Sequence, residues 1–196
     1  MKKIIILLFL ITSIQISFSQ HLQTKNETKP DWEGLEPDGC TSITVGKLAS
    51  FDGSVMTSHT DDSHRTRSEF NIVPPKKYPA GSKVMMYKRV PDNTKKMSAY
   101  KFEPTGEIPQ VESTYGYINT AYPCLNTEQL AIGESTFGGR EELKSDKGLI
   151  DCTQLVTLMM ERCKTAREAI SMAGGIFEKN GWEDGGGGFK ISDPHE

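Results

Sequence analysis

Apolar and polar positions change rhythm several times along the chain. Ile4 to Phe18 is an apolar run interrupted only by Thr12, Ser13, Gln15 and Ser17, and Lys2-Lys3 precedes it. The run is shorter than the ~20 residues a membrane-spanning helix needs. Ser17-Phe18-Ser19 places small residues where a signal peptidase reads, with cleavage before Gln20. Residues 1–19 are therefore expected to be a removable secretory signal and not a stable membrane anchor. Gln20 to Gly39 is polar, charged and nearly free of aliphatic residues, which predicts a leader segment over 20–39 with no core of its own. From Thr41 the rhythm shortens to two. Ile43 and Val45 share one face, and Val55 and Thr57 follow an Asp52-Gly53 pair. Two β-prone runs flanking Asp-Gly predict a hairpin. Leu48, Ala49 and Phe51 are expected to widen its apolar patch near the turn.

Residues 64–111 are punctuated by Pro74-Pro75, Pro79-Ala80-Gly81, Pro91-Asp92 and Pro104. Short strands and loops are expected there, Lys83 to Val90 among them, with further strands at Tyr115 to Tyr122 and Gln129 to Gly133. The period then lengthens. Leu155, Leu158, Met159 and Cys163 form a helical stripe over Asp151 to Lys164. Thr165-Ala-Arg-Glu168 is a capping box opening a second helix, whose stripe is Ala169, Ile170, Ala173, Ile176 and Phe177 and whose end is Gly181. Gly185 to Gly188 reads as a flexible loop; a phosphate-cradling loop would be followed by Lys-Ser/Thr, which is missing. Phe189 to Asp193 begins a strand, and the sequence stops soon after it at Glu196, so a longer protein is expected.

Composition narrows the class. Charged residues make up 25% of the chain and the formal net charge is -3, which suits a globular domain and offers no basic footprint for nucleic acid. Four cysteines in an exported chain invite a disulfide reading. Cys152 and Cys163 fall on one predicted helix, however, where eleven residues span roughly 16 Å against the ~6 Å between bonded Cα atoms. Those two cannot pair with each other, and three of the four are read as buried small hydrophobes.

The predicted hairpin brings chemistry to Cys40. With Asp52 and Gly53 as the two turn residues, Cys40 lies opposite Arg65, and Asp62 opposite Ile43. A four-residue loop shifts the partner of Cys40 to Ser63. Either register sets Asp61-Asp62-Ser63-His64 beside a thiol. Two mechanisms fit. Cys40 can pair with His64, or with His59, as thiolate and imidazolium. Alternatively the leader is cut before Cys40 and the freed α-amine, with a pKa near ~8, is the base for its own thiol, with Asp62 orienting the amine. The plain reading is a buried cysteine at a strand start. A metal site from His59, Asp61, Asp62 and His64 is disfavoured because strand alternation divides the four between two faces.

Cys40-Thr-Ser-Ile-Thr-Val-Gly-Lys-Leu-Ala-Ser-Phe-Asp-Gly-Ser54 resembles the start of the mature chain in the secreted bacterial dipeptidases of the N-terminal-nucleophile hydrolase superfamily, to which secernins are related. Three further blocks follow in family order: Thr114 to Tyr117 through Asn126 to Arg140, then Leu158 to Ile170, then Phe189 to Glu196. The resemblance implies an α+β fold, a four-layer αββα sandwich whose N-terminal portion is residues 40–196. It implies Cys40 as nucleophile and mature N-terminus, and Asp62 as the residue contacting the catalytic amine. Many relatives carry Arg three residues before that Asp, where His59 stands here. Candidates for the oxyanion hole or for substrate binding are Asn126, Glu134, Ser135, Thr136 and Arg140. The implied activity is cysteine-type dipeptide hydrolysis after autoproteolysis, with small peptides as partners and no metal or organic cofactor. Alternatives are an acylase of the bile-salt hydrolase or penicillin V acylase type, or a non-catalytic secreted protein of the same fold.

Overall fold

The computed structural model describes residues 40–62, 69–92, 94, 99–137, 140, 142, 145 and 147–196. The expected signal and leader over 1–39, and the candidate base His64, lie outside the described residues.

The hairpin is present, as β1 (Ser42–Val45) paired antiparallel with β2 (Met56–His59). Its register corrects the expectation. Ser42 faces His59 and Val45 faces Met56, so the connection spans residues 46–55 and Asp52-Gly53 is not a two-residue turn. The physical reason lies in Asp52. A tight hairpin turn of this type needs left-handed backbone at both central residues. Gly53 has φ +77°, but the only non-glycine with positive φ among the described residues is Gln129. Asp52 instead accepts the Ser54 N–H at 3.0 Å, and Ala49 closes a separate turn onto the Gly46 carbonyl at 2.9 Å. Continued through the Thr60 N–H to Thr41 carbonyl bond of 2.9 Å, this register puts Asp61 across from Cys40, in place of Arg65 or Ser63. It also turns Ile43 outward at 62% exposure, and Leu48 and Phe51 stand free of any core.

A five-stranded antiparallel sheet has the order β11-β10-β9-β8-β3. Its members are β3 (Asn71–Val73), β8 (Tyr117–Asn119), β9 (Pro123–Asn126), β10 (Ala131–Phe137) and β11 (Gly186–Ser192). Two small pairs flank it. One is β4 (Lys76–Lys77) with β7 (Ser113–Thr114), and the other is a long arm of β5 (Lys83–Pro91) with β6 (Tyr100–Pro109). Three of the four glycines, Gly186 to Gly188, are therefore strand and not flexible loop, and Gly185 lies just before it. Gly186, Gly187 and Gly188 pair with Phe137, Thr136 and Ser135. The run serves close approach: a Cβ on Gly186 would fall 2.6 Å from the Phe137 carbonyl oxygen.

Both helices form where the periodicity places them. The first, α1 (Cys152–Arg162), is capped by Asp151, which accepts from Gln154 N. The second, α2 (Ala166–Asn180), is capped by Thr165 accepting from Glu168 N and ends at Gly181 with φ +70°. Glu168 returns a bond to the Lys164 N–H at 2.8 Å, one residue before the position a capping box predicts. Leu155, Val156, Leu158, Met159 and Met160 of α1 pack with Leu130 and Ile132 beside and on β10, and with Met86 and Ile108 from the arm. That core holds one face of the sheet to the helices. Ile170, expected inward, is 59% exposed on α2, because only one edge of that helix is covered.

Candidate active site

Alternation along β10 sorts the candidate residues. Ile132, Glu134 and Thr136 share one face, and Ala131, Gly133 and Ser135 share the other. Glu134 is 1% exposed and lies on the helix side, hydrogen-bonded by the Cys152 thiol and by the Thr136 hydroxyl at 3.1 and 3.3 Å to its two oxygens. Burial pushes its carboxyl above the ordinary range, the two donors oppose that, and Asp184 and Asp61 reinforce it. Cys152 is in turn held as the thiol, its pKa raised by burial and by Glu134 and Asp184.

The other face of β10 receives the hairpin. A Cβ on Gly133 would lie 3.3 Å from the Thr57 hydroxyl and 3.4 Å from the His59 Cβ, so glycine lets β2 approach the strand. The Ser42 hydroxyl is hydrogen-bonded to that of Ser135 and donates to the Glu134 main-chain carbonyl at 3.3 Å. Ser135 is thus the candidate on the hairpin side, whereas Glu134 presents its backbone there and its carboxylate elsewhere.

Cys40 is half-buried, two residues before Ser42 and on the same face. The register gives that face His59 and Asp61 as well. His59 is a diagonal neighbour of Cys40, a relation with Cα atoms about 7–8 Å apart. Burial lowers the His59 pKa and Asp61 opposes the shift. Asp62 belongs to the opposite face, where it accepts from the Thr60 hydroxyl at 3.2 Å, and Thr60 also accepts the Thr41 N–H at 3.0 Å. Both carboxylates therefore stand at the Cys40 end of the hairpin, one on each side. Among the described residues no three His, Cys, Asp or Glu side chains are placed to hold a metal ion.

Two candidates lie apart. The Asn126 amide nitrogen donates to the carbonyls of Met160 and Cys163 at 3.0 and 2.8 Å, and its oxygen accepts from Glu128 N and Leu130 N, each at 3.0 Å. No donor is left for a substrate. Arg140 is exposed and 3.8 Å from Glu142. A groove of 620 Å³ between β2, β9 and β10 is lined by Met56, Thr57, Cys124, Leu125 and Ala131. It opens at the loop end of the hairpin, and Thr57 to Asp61 is about 13 Å of strand, so this groove is too far from Cys40 to seat a dipeptide there.

Sequence reasoning passed over Arg89 and Tyr122. Arg89 on β5 donates to Asp151 at 3.1 Å and to the Tyr122 hydroxyl at 3.3 Å, and it lies 3.9 Å from Asp184. Burial works against its charge, but Tyr122, Asp151 and Asp184 outweigh burial and raise its pKa. No local motif marks either residue; only their convergence in space does.

A strand-start cysteine on a hairpin face shared with His59 and Asp61, beside an antiparallel sheet, is the site these elements build. The model of Peptidase family C69 matches residues 39–196, and the chain belongs to that family. Probable dipeptidase B of Lactococcus lactis is 27% identical over 158 residues, covering 76% of this chain and 33% of that protein. Probable dipeptidase A of Streptococcus pyogenes serotype M3 is 29% identical over 163 residues, 80% of this chain and 34% of its own. A dipeptidase of Bifidobacterium longum is 28% identical over 157 residues, 72% and 29%. The chain spans about a third of the length of these curated relatives.

Proposed function

We propose that Cys40 is the nucleophile of an exported cysteine-type dipeptidase whose complete catalytic domain is an αββα sandwich. The observation that carries this is the position of Cys40. It stands at the start of the family-matched segment, on the hairpin face that meets β10, with carboxylates on both sides. In this reading the thiol attacks the Gly39 carbonyl, the Gly39–Cys40 amide breaks to a thioester, and water opens it to leave a free α-amine on Cys40. That amine then takes the thiol proton. The thiolate adds to the dipeptide carbonyl, the amine returns the proton to the leaving amino group, and water releases the acyl group. Asp62 orients the amine.

The test is the mass of the mature N-terminus together with activity on a small dipeptide panel. Cys40 should be the first residue, and Cys40→Ala should be folded, uncleaved and inactive. Activity in Cys40→Ala sinks the assignment. A panel that is refused while a conjugated amide is cleaved points to an acylase instead.

One observation favours a second route. His59 shares the Cys40 face, and burial favours its neutral, proton-accepting form. An active enzyme that still begins upstream of Cys40 would establish an imidazole base and remove the need for the free amine.

A further inference from the structure

Tyr122 is 6% exposed and sits where two strands part. β9 and β10 pair only at Leu125 and Ala131, with the Asn126 N–H bonded to the Leu130 carbonyl at 3.0 Å. Tyr122 directly precedes β9, at the end where that strand no longer pairs with β10. Its ring meets the His59 ring edge-on, with centroids 6.2 Å apart and planes at 72°. Its other partner is Arg89, whose guanidinium lies 5.6 Å from the Tyr122 ring centre and 5.5 Å from that of Tyr100. Arg89 is anchored in turn by Asp151, the cap of α1, whose neighbour Cys152 has its N–H on Asp184 at 3.3 Å. A continuous set of contacts thus runs from the α1 cap through Arg89 and Tyr122 to the imidazole on the Cys40 face.

We propose that Tyr122, tethered by Arg89, is a positioning residue that holds the His59 imidazole on the Cys40 face and keeps water from it. This rests on the reading of that face as the active site. The groups facing His59 are consistent with it. Asp61 from its own strand attracts a proton. Tyr122 covers the ring, and Arg89 stands behind it on β5. Glu134 of β10 interacts with Asp61 and with Tyr122. Tyr122 is itself held neutral, its pKa pushed up to about 12 by burial. Loss of the ring wets the imidazole, favouring its charged form.

The experiment uses protein labelled with ¹³C in histidine, with the His59 signal identified by its loss in His59→Gln. In wild type His59 should titrate below its ordinary 6.5. Tyr122→Leu should raise that titration by about one unit, and along the imidazole-base route it should also lower kcat/KM about tenfold. Tyr122→Phe keeps the ring and should restore both. A folded Tyr122→Leu protein with the wild-type titration overturns the proposal. Should that variant not fold, a wild-type His59 titrating at or above 6.5 overturns it instead. The titration arm does not use activity. If Cys40→Ala remains active while the titration shifts as expected, the nucleophile assignment fails and the positioning role stands.

Discussion

Replacing Asn126 with alanine removes four hydrogen bonds at one buried point. The side chain is 5% exposed and ties the turn before β10 to the C-terminal turn of α1. Two of the orphaned groups are carbonyls of Met160 and Cys163, where a helix ends and has no internal donors left. The other two are N–H groups in a turn whose Gln129 already sits at φ +65°. Each bond contributes about 0.5–1.5 kcal/mol net, so the loss is about 4 kcal/mol, a large fraction of a typical domain's stability. Urea unfolding followed by Trp182 fluorescence reads it; with a slope of about 2 kcal/mol per M, the midpoint should fall by about 2 M. Asn126→Asp separates donor from acceptor. Its carboxylate would face two carbonyls, so its folded pKa would lie above its unfolded value. The variant should be least destabilised below about pH 4 and lose ground as pH rises. A shift under about 1 kcal/mol for Asn126→Ala would refute the argument that this amide joins turn and helix.

Gly148→Ala should cost about 3 kcal/mol, because its Cβ would fall 2.2 Å from the Trp182 carbonyl carbon in a segment held by the Glu183 N–H to Ile150 carbonyl bond of 3.1 Å. An unchanged Tm would mean that this backbone can move. Glu134 has a folded pKa above its ordinary 4.5, so wild type should lose stability relative to Glu134→Gln as pH rises from 4.5 through the folded value. A stability difference constant over that interval would contradict burial as the cause. Asp62→Asn should lower kcat at least about tenfold, less than Cys40→Ala, with Tm preserved. Full activity would remove Asp62 from the mechanism.

Local chemistry decided much of this protein in advance. Apolar stripes and caps wrote both helices into the sequence, because helix periodicity and N-terminal N–H groups are satisfied within a few residues. The blocks from Cys40 to Glu196 likewise pointed to the family. What depended on distant atoms was not legible. Asp-Gly suggested a tight turn, but the hairpin register follows the packing of Thr57 and His59 on Gly133, and a shift of register changes which carboxylate faces Cys40. The glycine run looked flexible because its pairing partner, Ser135 to Phe137, lies about fifty residues away. Glu134, Ser135 and Thr136 were equal candidates in sequence, and only the layers above and below β10 divided them, sending Glu134 toward Cys152 and Ser135 toward Ser42. Arg89 and Tyr122 carried no signal at all, since a charge and a ring acquire meaning only when Asp151 and His59 arrive beside them from other parts of the chain.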